Sequence, residues 1–183
     1  MHHYPSLGRR ICVVGTSGSG KTYVAEAIAR RLGIRYISND ALIWRANWEQ
    51  VSRDDRYEAF EDATRDGDWT FDGNLGPSPE DELVLSRCDT LVWLDLPKWE
   101  VMRSIVLRTL RRAITRERLW HGNIERWQNL FTRDSMIFWS WRTYPRRKAQ
   151  YAALFTDPVH AGRTRIRLGT RAEVSGWLAS LGR

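Results

Sequence analysis

The run Gly15-Thr16-Ser17-Gly18-Ser19-Gly20-Lys21-Thr22 matches the pattern G-x-x-x-x-G-K-[ST] in full and follows directly on the apolar stretch Ile11-Cys12-Val13-Val14. Three pieces are thereby set in order. A buried strand from Arg10 to Val14 ends at Gly15, glycines let the backbone turn with its N–H groups inward, and a helix begins near Lys21. Val24, Ile28 and Leu32 recur on one face of that helix, as a helix packed on a sheet requires. The pattern therefore predicts a phosphate site at a helix N-terminus, formed by Gly15, Thr16, Ser17, Gly18, Ser19, Gly20, Lys21 and Thr22. Lys21 would reach the β- and γ-phosphates of a nucleotide such as ATP, and the Thr22 hydroxyl would ligate Mg²⁺.

Later segments repeat the alternation of strand and helix. Ile34 to Ser38, Trp69 to Phe71, Thr90 to Leu94 and Thr164 to Leu168 read as strands, each bounded by turn residues or a helical pattern. Helical patterns cover Trp48 to Arg65, Lys98 to Arg118, pieces of Asn123 to Phe155 broken near Pro145, and Arg171 to Leu181. Strands separated by helices demand right-handed crossovers, hence an α/β parallel sheet with helices on both faces. Ligands then gather at the carboxyl ends of the strands.

Two aspartates fall at that edge. Asp40 follows the second strand and Asp72 the third. Phosphoryl transfer needs a metal held, an acceptor hydroxyl aligned and charge neutralised. Asp72 is the candidate for Mg²⁺ with Thr22, and Asp40 for orienting the acceptor and taking its proton. The competing readings are an N-cap on the turn Ala41 to Trp44 for Asp40 and an Asp-Gly turn for Asp72. Asp95 also ends a strand, but Pro97 follows and points to a structural exit. Arg108, Arg111, Arg112 and Arg116 recur at helical spacing, and Arg112 and Arg116 are taken as catalytic cations of a lid over residues 108–123. A solvated basic face accounts for the same spacing equally well. Gly122 is a candidate hinge, and His121 reads as a hydrogen-bonded cleft or surface residue, with no second metal ligand at suitable spacing. Trp127, Phe131, Phe138, Trp139 and Trp141 read as core aromatics more readily than as a base-stacking surface.

A chain of 183 residues is expected to form a single domain, residues 1–183. No apolar run reaches the roughly 18 residues of a membrane helix, and no signal-peptide core opens the chain, so a cytoplasmic location is expected. Cys12 and Cys88 read as buried apolar positions. The net charge of +7 invites a nucleic-acid reading, yet 26 of the 29 basic residues are arginine, a bias that base composition produces as readily as selection does.

Taken with Asn39-Asp40-Ala41-Leu42-Ile43-Trp44, the Asp72-Gly73-Asn74 close of the third strand, Leu94-Asp95-Leu96-Pro97, Leu119-Trp120-His121-Gly122-Asn123, Arg133-Asp134-Ser135 and the arginine-rich Trp141 to Tyr151, the loop identifies a resemblance. The chain resembles the adenylate-kinase-like P-loop kinases, and within them the small bacterial DNA topology modulation proteins or predicted adenylate kinases. That resemblance implies a P-loop NTPase three-layer sandwich, a five-stranded parallel sheet in order 2-3-1-4-5, and an arginine-bearing lid. It implies an ATP- and Mg²⁺-dependent phosphotransferase acting on a small molecule or nucleotide. In nucleoside monophosphate kinases the third strand leads into Asp-Gly-Phe-Pro-Arg, whose arginine grips the acceptor phosphate. Here the run is Asp72-Gly73-Asn74-Leu75-Gly76, without that arginine, for which Arg45 or Arg53 could compensate. A hydroxylated metabolite, as in the similar shikimate and gluconate kinases, stays open.

Two further classes are weighed. An ATP-binding regulatory protein associated with nucleic acid is the alternative. A GTP switch is disfavoured because none of the three lysines stands in Asn-Lys-x-Asp. A ring ATPase is disfavoured because Gly73, not a catalytic glutamate, follows Asp72, with no arginine-sensing second domain expected.

Overall fold

Successive side chains of a strand point to opposite faces, and the first strand uses this alternation to divide the core in two. Ile11 and Val13 face one way and pack with Val24, Ile28, Val92, Leu94, Ile166, Leu168 and Trp177. Cys12 and Val14 face the other and pack with Ile37, Phe60, Trp69, Phe71, Val84, Trp93 and Tyr151. A strand apolar on both faces can only lie inside a sheet covered on both sides.

The computed structural model describes residues 5–115, 118–123 and 135–181. Its strands are β1 (Arg10–Gly15), β2 (Arg35–Ser38), β3 (Trp69–Asp72), β4 (Thr90–Leu94) and β5 (Thr164–Leu168). All neighbours are parallel, in the order β2-β3-β1-β4-β5, as expected. The helices are α1 (Lys21–Leu32), α2 (Asn39–Ile43), α3 (Arg53–Arg65), α4 (Pro79–Arg87), α5 (Lys98–Thr115), α6 (Met136–Thr156) and α7 (Arg171–Ser180). Helices α1 and α7 cover the Ile11 face, and α3, α4 and α6 cover the Cys12 face. A smaller cluster of Leu96, Val101, Ile105 and Tyr144 joins α5 to α6. Cys12 and Cys88 are free, buried thiols. Among the described residues no helix is long and apolar enough to cross a membrane.

Register places the site. Asp72 pairs with Val13 of β1 on one side and Ser38 of β2 on the other, so the carboxylate stands at the strand ends beside the glycine turn.

Four local expectations need correction. Ala41 to Trp44 is not a plain turn, because α2 forms there with Ser38 Oγ accepting from the Ala41 amide at 3.3 Å. The helix expected from Trp48 begins at Arg53, where Ser52 caps it. Between β3 and β4 lies a further helix, α4. Ser78 caps it, Pro79 opens it and Glu80, Asp81 and Glu82 fill its first turn, all favourable at a helix N-terminus. Finally, α6 runs unbroken through Pro145. That proline is exposed, so water can take the carbonyl its missing N–H leaves. Phe138 and Trp141 of the same helix are exposed rather than core. Lys98 Nζ sits 3.4 Å from the Trp141 ring centre, a cation–π contact that suits a surface indole. Trp127 and Phe131 lie outside the described residues.

Candidate active site

The glycine turn is shaped by close approach. Gly18 has φ +82, and a Cβ there would lie 2.4 Å from Ile105 Cγ1 and 2.9 Å from the Val101 carbonyl oxygen of α5. Gly20, at φ +96, precedes α1. Both are left-handed positions that favour glycine. The first turn of α1 carries no acidic residue and no side-chain cap, so its amides and the positive end of its dipole are left for an anion. Ser19 Oγ is buried without a hydrogen-bond partner among the described residues. A buried hydroxyl so placed costs free energy until a ligand satisfies it. These features fit a polyphosphate.

Lys21 is buried, and its ammonium donates to the Thr16 carbonyl at 3.1 Å. Burial pulls its pKa down to about 8; Asp72 and Asp40 oppose this, while Arg108 and Arg147 add to it. Those four charges are felt at the lysine from four separate elements, α2, β3, α5 and α6. Asp72 is also buried; its Oδ2 accepts from Thr22 Oγ1 at 2.6 Å and from the Tyr36 hydroxyl at 3.1 Å. Burial and Asp72 push the Tyr36 phenol up, so it remains a donor.

Asp40 is not the helix cap, since Ser38 takes that role. Burial raises its carboxyl above the usual range, Lys21 draws it back, and Asp72 raises it again. A carboxylate made more basic, within reach of the phosphate-binding lysine, is suited to accept a proton there.

The arginines divide. Arg108 of α5 acts on both Lys21 and Asp40. Arg112 stands one helical turn further on and is half-buried. Arg116 lies outside the described residues. On the acceptor side, neither Arg45 nor Arg53 is positioned as expected. Arg45 pairs with Asp55 at 3.2 Å on the surface, and Arg53 is exposed at the start of α3. The guanidinium that lies against Gly76 belongs to Arg147 of α6, 3.9 Å from where a Gly76 Cβ would stand. Tyr36 and Arg147 were the functional candidates missed. Tyr36 shares a strand face with Ser38, a weak signal at best, and Arg147 has none in its local sequence.

The remaining expectations fall as follows. Asp95 is buried and receives Lys148 at 3.0 Å and the Arg167 guanidinium, while its amide donates to Leu168 O. It thus ties β4 to β5 and α6, the structural role expected. His121 is exposed and its Nε2 donates to the Ala41 carbonyl at 3.2 Å. Among the described residues no group of three His, Cys, Asp or Glu side chains could hold a metal. Thr22 and Asp72 offer two hard oxygen donors, and Mg²⁺ in nucleotide sites takes few protein ligands beside water and phosphate. The pair therefore fits that ion.

The family model described as "ATPase family associated with various cellular activities (AAA)" matches residues 11–69. That span holds the P-loop strand through α3 and stops short of Asp72. The probable gluconokinase of Schizosaccharomyces pombe is 46% identical over 41 residues, 22% of this chain and 21% of that protein, so the match spans about a fifth of the relative's length. Among solved structures, shikimate kinase from Bacteroides thetaiotaomicron superposes with a TM-score of 0.59 at 14% identity, covering 94% of this chain and 95% of that one. Shikimate kinase from Aquifex aeolicus gives 0.54 at 17%, covering 94% and 95%. The enzyme from Acinetobacter baumannii in complex with shikimate gives 0.53 at 15%, covering 93% and 89%. The chain has the P-loop kinase fold, with its nucleotide loop and five-stranded sheet.

Proposed function

We propose that the chain is an ATP- and Mg²⁺-dependent phosphotransferase that acts on a hydroxyl of a small molecule or nucleotide. The observation that carries this reading is the buried Lys21 behind the glycine turn, with Asp72 bonded to Thr22 at 2.6 Å beside it and the charges of Asp40, Arg108 and Arg147 felt at its ammonium. A binding switch needs the phosphate loop alone. A kinase needs in addition a base on the acceptor side and cations about the transferring group.

The α1 amides and Lys21 hold the β- and γ-phosphates, and Arg108 adds charge where the transferring group becomes more exposed. Thr22 and Asp72 would hold Mg²⁺, which when bound neutralises phosphate charge. Asp40 accepts the proton of the acceptor hydroxyl as the hydroxyl oxygen attacks the γ-phosphorus and the bond from that phosphorus to the β,γ-bridging oxygen breaks, releasing ADP. Arg112, and Arg116 beyond it, complete the lid in this proposal. Arg147 faces the run after β3 where related nucleoside monophosphate kinases place an arginine, so the adenylate-kinase-like resemblance and a small anionic acceptor both fit. A cytoplasmic location belongs to the same reading.

The test is a panel of acceptors incubated with γ-labelled ATP and Mg²⁺: shikimate, gluconate and the nucleoside monophosphates. Label transfer to one acceptor, lost in Asp40→Asn, is expected. ATP binding with no transfer across the panel and no effect of Asp40→Asn would favour the nucleic-acid-associated regulator instead.

A further inference from the structure

The run Leu119 to Asn123 ends the segment expected to form the lid, and within it Asn123 is a buried polar side chain with every contact inside the protein. It is 4% exposed. Its Oδ1 accepts from the Trp48 amide at 3.0 Å, and its Nδ2 donates to the Arg45 carbonyl at 2.8 Å and the Trp120 carbonyl at 2.9 Å. Two of these bonds cross more than seventy residues of chain. His121 adds a fourth contact, to the carbonyl of Ala41, the residue after Asp40. Leu119 and Asn123 close their own turn, Leu119 N donating to Asn123 O at 2.7 Å.

The backbone on both sides is held in an uncommon conformation. Asn47, Trp48 and His121 have φ of +60, +59 and +54. Non-glycine residues seldom adopt this region, because Cβ crowds the following carbonyl oxygen. Such turns persist only when their surroundings over-determine them. Here the carboxamide does so from the inside, and the Trp44 and Trp48 rings meet edge to face at 5.7 Å outside it. The clasp joins two functional parts. Trp44 to Trp48 follows directly on the α2 turn that carries Asp40, and residue 118 comes three residues after Thr115, the end of α5, the helix of Arg108.

Resting on the phosphotransferase reading, we infer that Asn123 is a positioning residue for the acceptor side. It pins the Arg45–Trp48 turn, and with it the α2 turn bearing Asp40, to the chain leaving the arginine helix. Closure of α5 on a polyphosphate is thereby transmitted to the acceptor side. Substrate-driven closure that completes a catalytic constellation is a general device of transferases, and the coupling is reciprocal.

Hydrogen exchange tests this in the full chain. In wild type, ATP with Mg²⁺ slows exchange of amides 15–22 and also of amides 41–51. In Asn123→Ala the first effect remains and the second is lost, and the Trp48 amide exchanges at least about tenfold faster without nucleotide. Asn123→Asp, which keeps the acceptor oxygen but loses both donated bonds, and His121→Ala, at an exposed position, give the same direction should the alanine variant fold poorly. Unchanged β1 and β3 amides confirm an intact core in each variant. Slowing of 41–51 by nucleotide in both wild type and variants, or in neither while 15–22 respond, overturns the inference. If amides 15–22 do not respond in wild type, the nucleotide reading fails, and the Trp48 amide in the unliganded variant decides the clasp by itself.

Discussion

The Thr22 hydroxyl donates to Asp72 Oδ2 across 2.6 Å, joining the first turn of α1 to the end of β3. In the proposed reaction the same two oxygens turn to the metal. Asp72→Asn keeps the shape but removes the only formal charge of the donor pair, so the dependence of ATP affinity on Mg²⁺ should weaken sharply. Titrating ATP with and without the ion by calorimetry checks this. A variant that retains the full Mg²⁺ effect removes Asp72 from the metal site.

Lys21 is held against its own preference. Its pKa falls from the ordinary 10.5 to about 8 because burial disfavours the charge, which corresponds to about 3 kcal/mol of folding free energy forgone at neutral pH. The native state binds fewer protons than the unfolded chain between those values, so wild-type stability should rise as pH increases from about 8 to 10.5. Lys21→Met should fold more stably at pH 7, by about 2 kcal/mol after the lost bond to Thr16, and lack that rise. Transfer should drop by more than about a hundredfold. Denaturant melts at pH 7 and 10 measure the first, and label transfer the second.

Gly18 sets the distance between the phosphate loop and α5. In Gly18→Ala the methyl meets both the Ile105 side chain and the Val101 backbone oxygen at φ +82, and backbone cannot give way as a side chain tip can. A loss of about 2–5 kcal/mol is expected from the strained φ and the overpacking together. Gly20→Ala meets only the Arg171 guanidinium at 3.6 Å and should lose mainly the conformational part, about 1–2 kcal/mol. Chemical denaturation of the two variants side by side distinguishes them.

The sheet was legible because its evidence is local. Ile11 to Val14 and Thr90 to Leu94 are short apolar runs, whereas the order of the strands was implied by the family resemblance alone. Asp40 and Asp72 were legible as candidates by position, Asp72 at the end of β3 and Asp40 two residues beyond β2. Helix α4 was also open to reading, since Ser78-Pro79-Glu80-Asp81-Glu82 is a helix start by composition. Arg147 is different. It reaches Gly76 from a helix more than seventy residues later, and a stretch that already holds Arg142, Arg146 and Lys148 gives no means of choosing among them. Tertiary packing makes that choice. Pro145 misled for a related reason: its cost in a helix depends on which side faces water.

The positive charge should behave as composition rather than as a designed interface. Duplex DNA binding should be weak, independent of sequence, and fall steeply between about 50 and 200 mM salt as counterion release dictates. Fluorescence anisotropy with two unrelated duplexes of equal length reads this directly. Tight, sequence-selective binding at the higher salt would return the nucleic-acid regulator to first place.

Asp40 and Lys21 together predict the pH dependence of transfer. Asp40 must be ionised to take a proton, and burial raises its pKa above the usual carboxylate value, with Lys21 opposing. The rate at limiting substrate should therefore rise with pH through that raised value. Lys21 must be charged to hold phosphate, and its pKa in the free protein is about 8. Bound phosphate raises that value, so its contribution to affinity is complete below about 8 and is lost as pH climbs toward the pKa of the complex. The profile of kcat/KM should be a bell with its alkaline limb near pH 8. Lys21→Arg keeps a positive charge at every pH tested, so the alkaline limb should vanish even if the rate falls. Asp40→Asn should retain nucleotide affinity within about threefold, lose transfer by at least about a hundredfold, and show no acid limb in what remains. If the acid limb survives in Asp40→Asn, the proton goes to another group, and Asp72 is the next carboxylate in reach of Lys21.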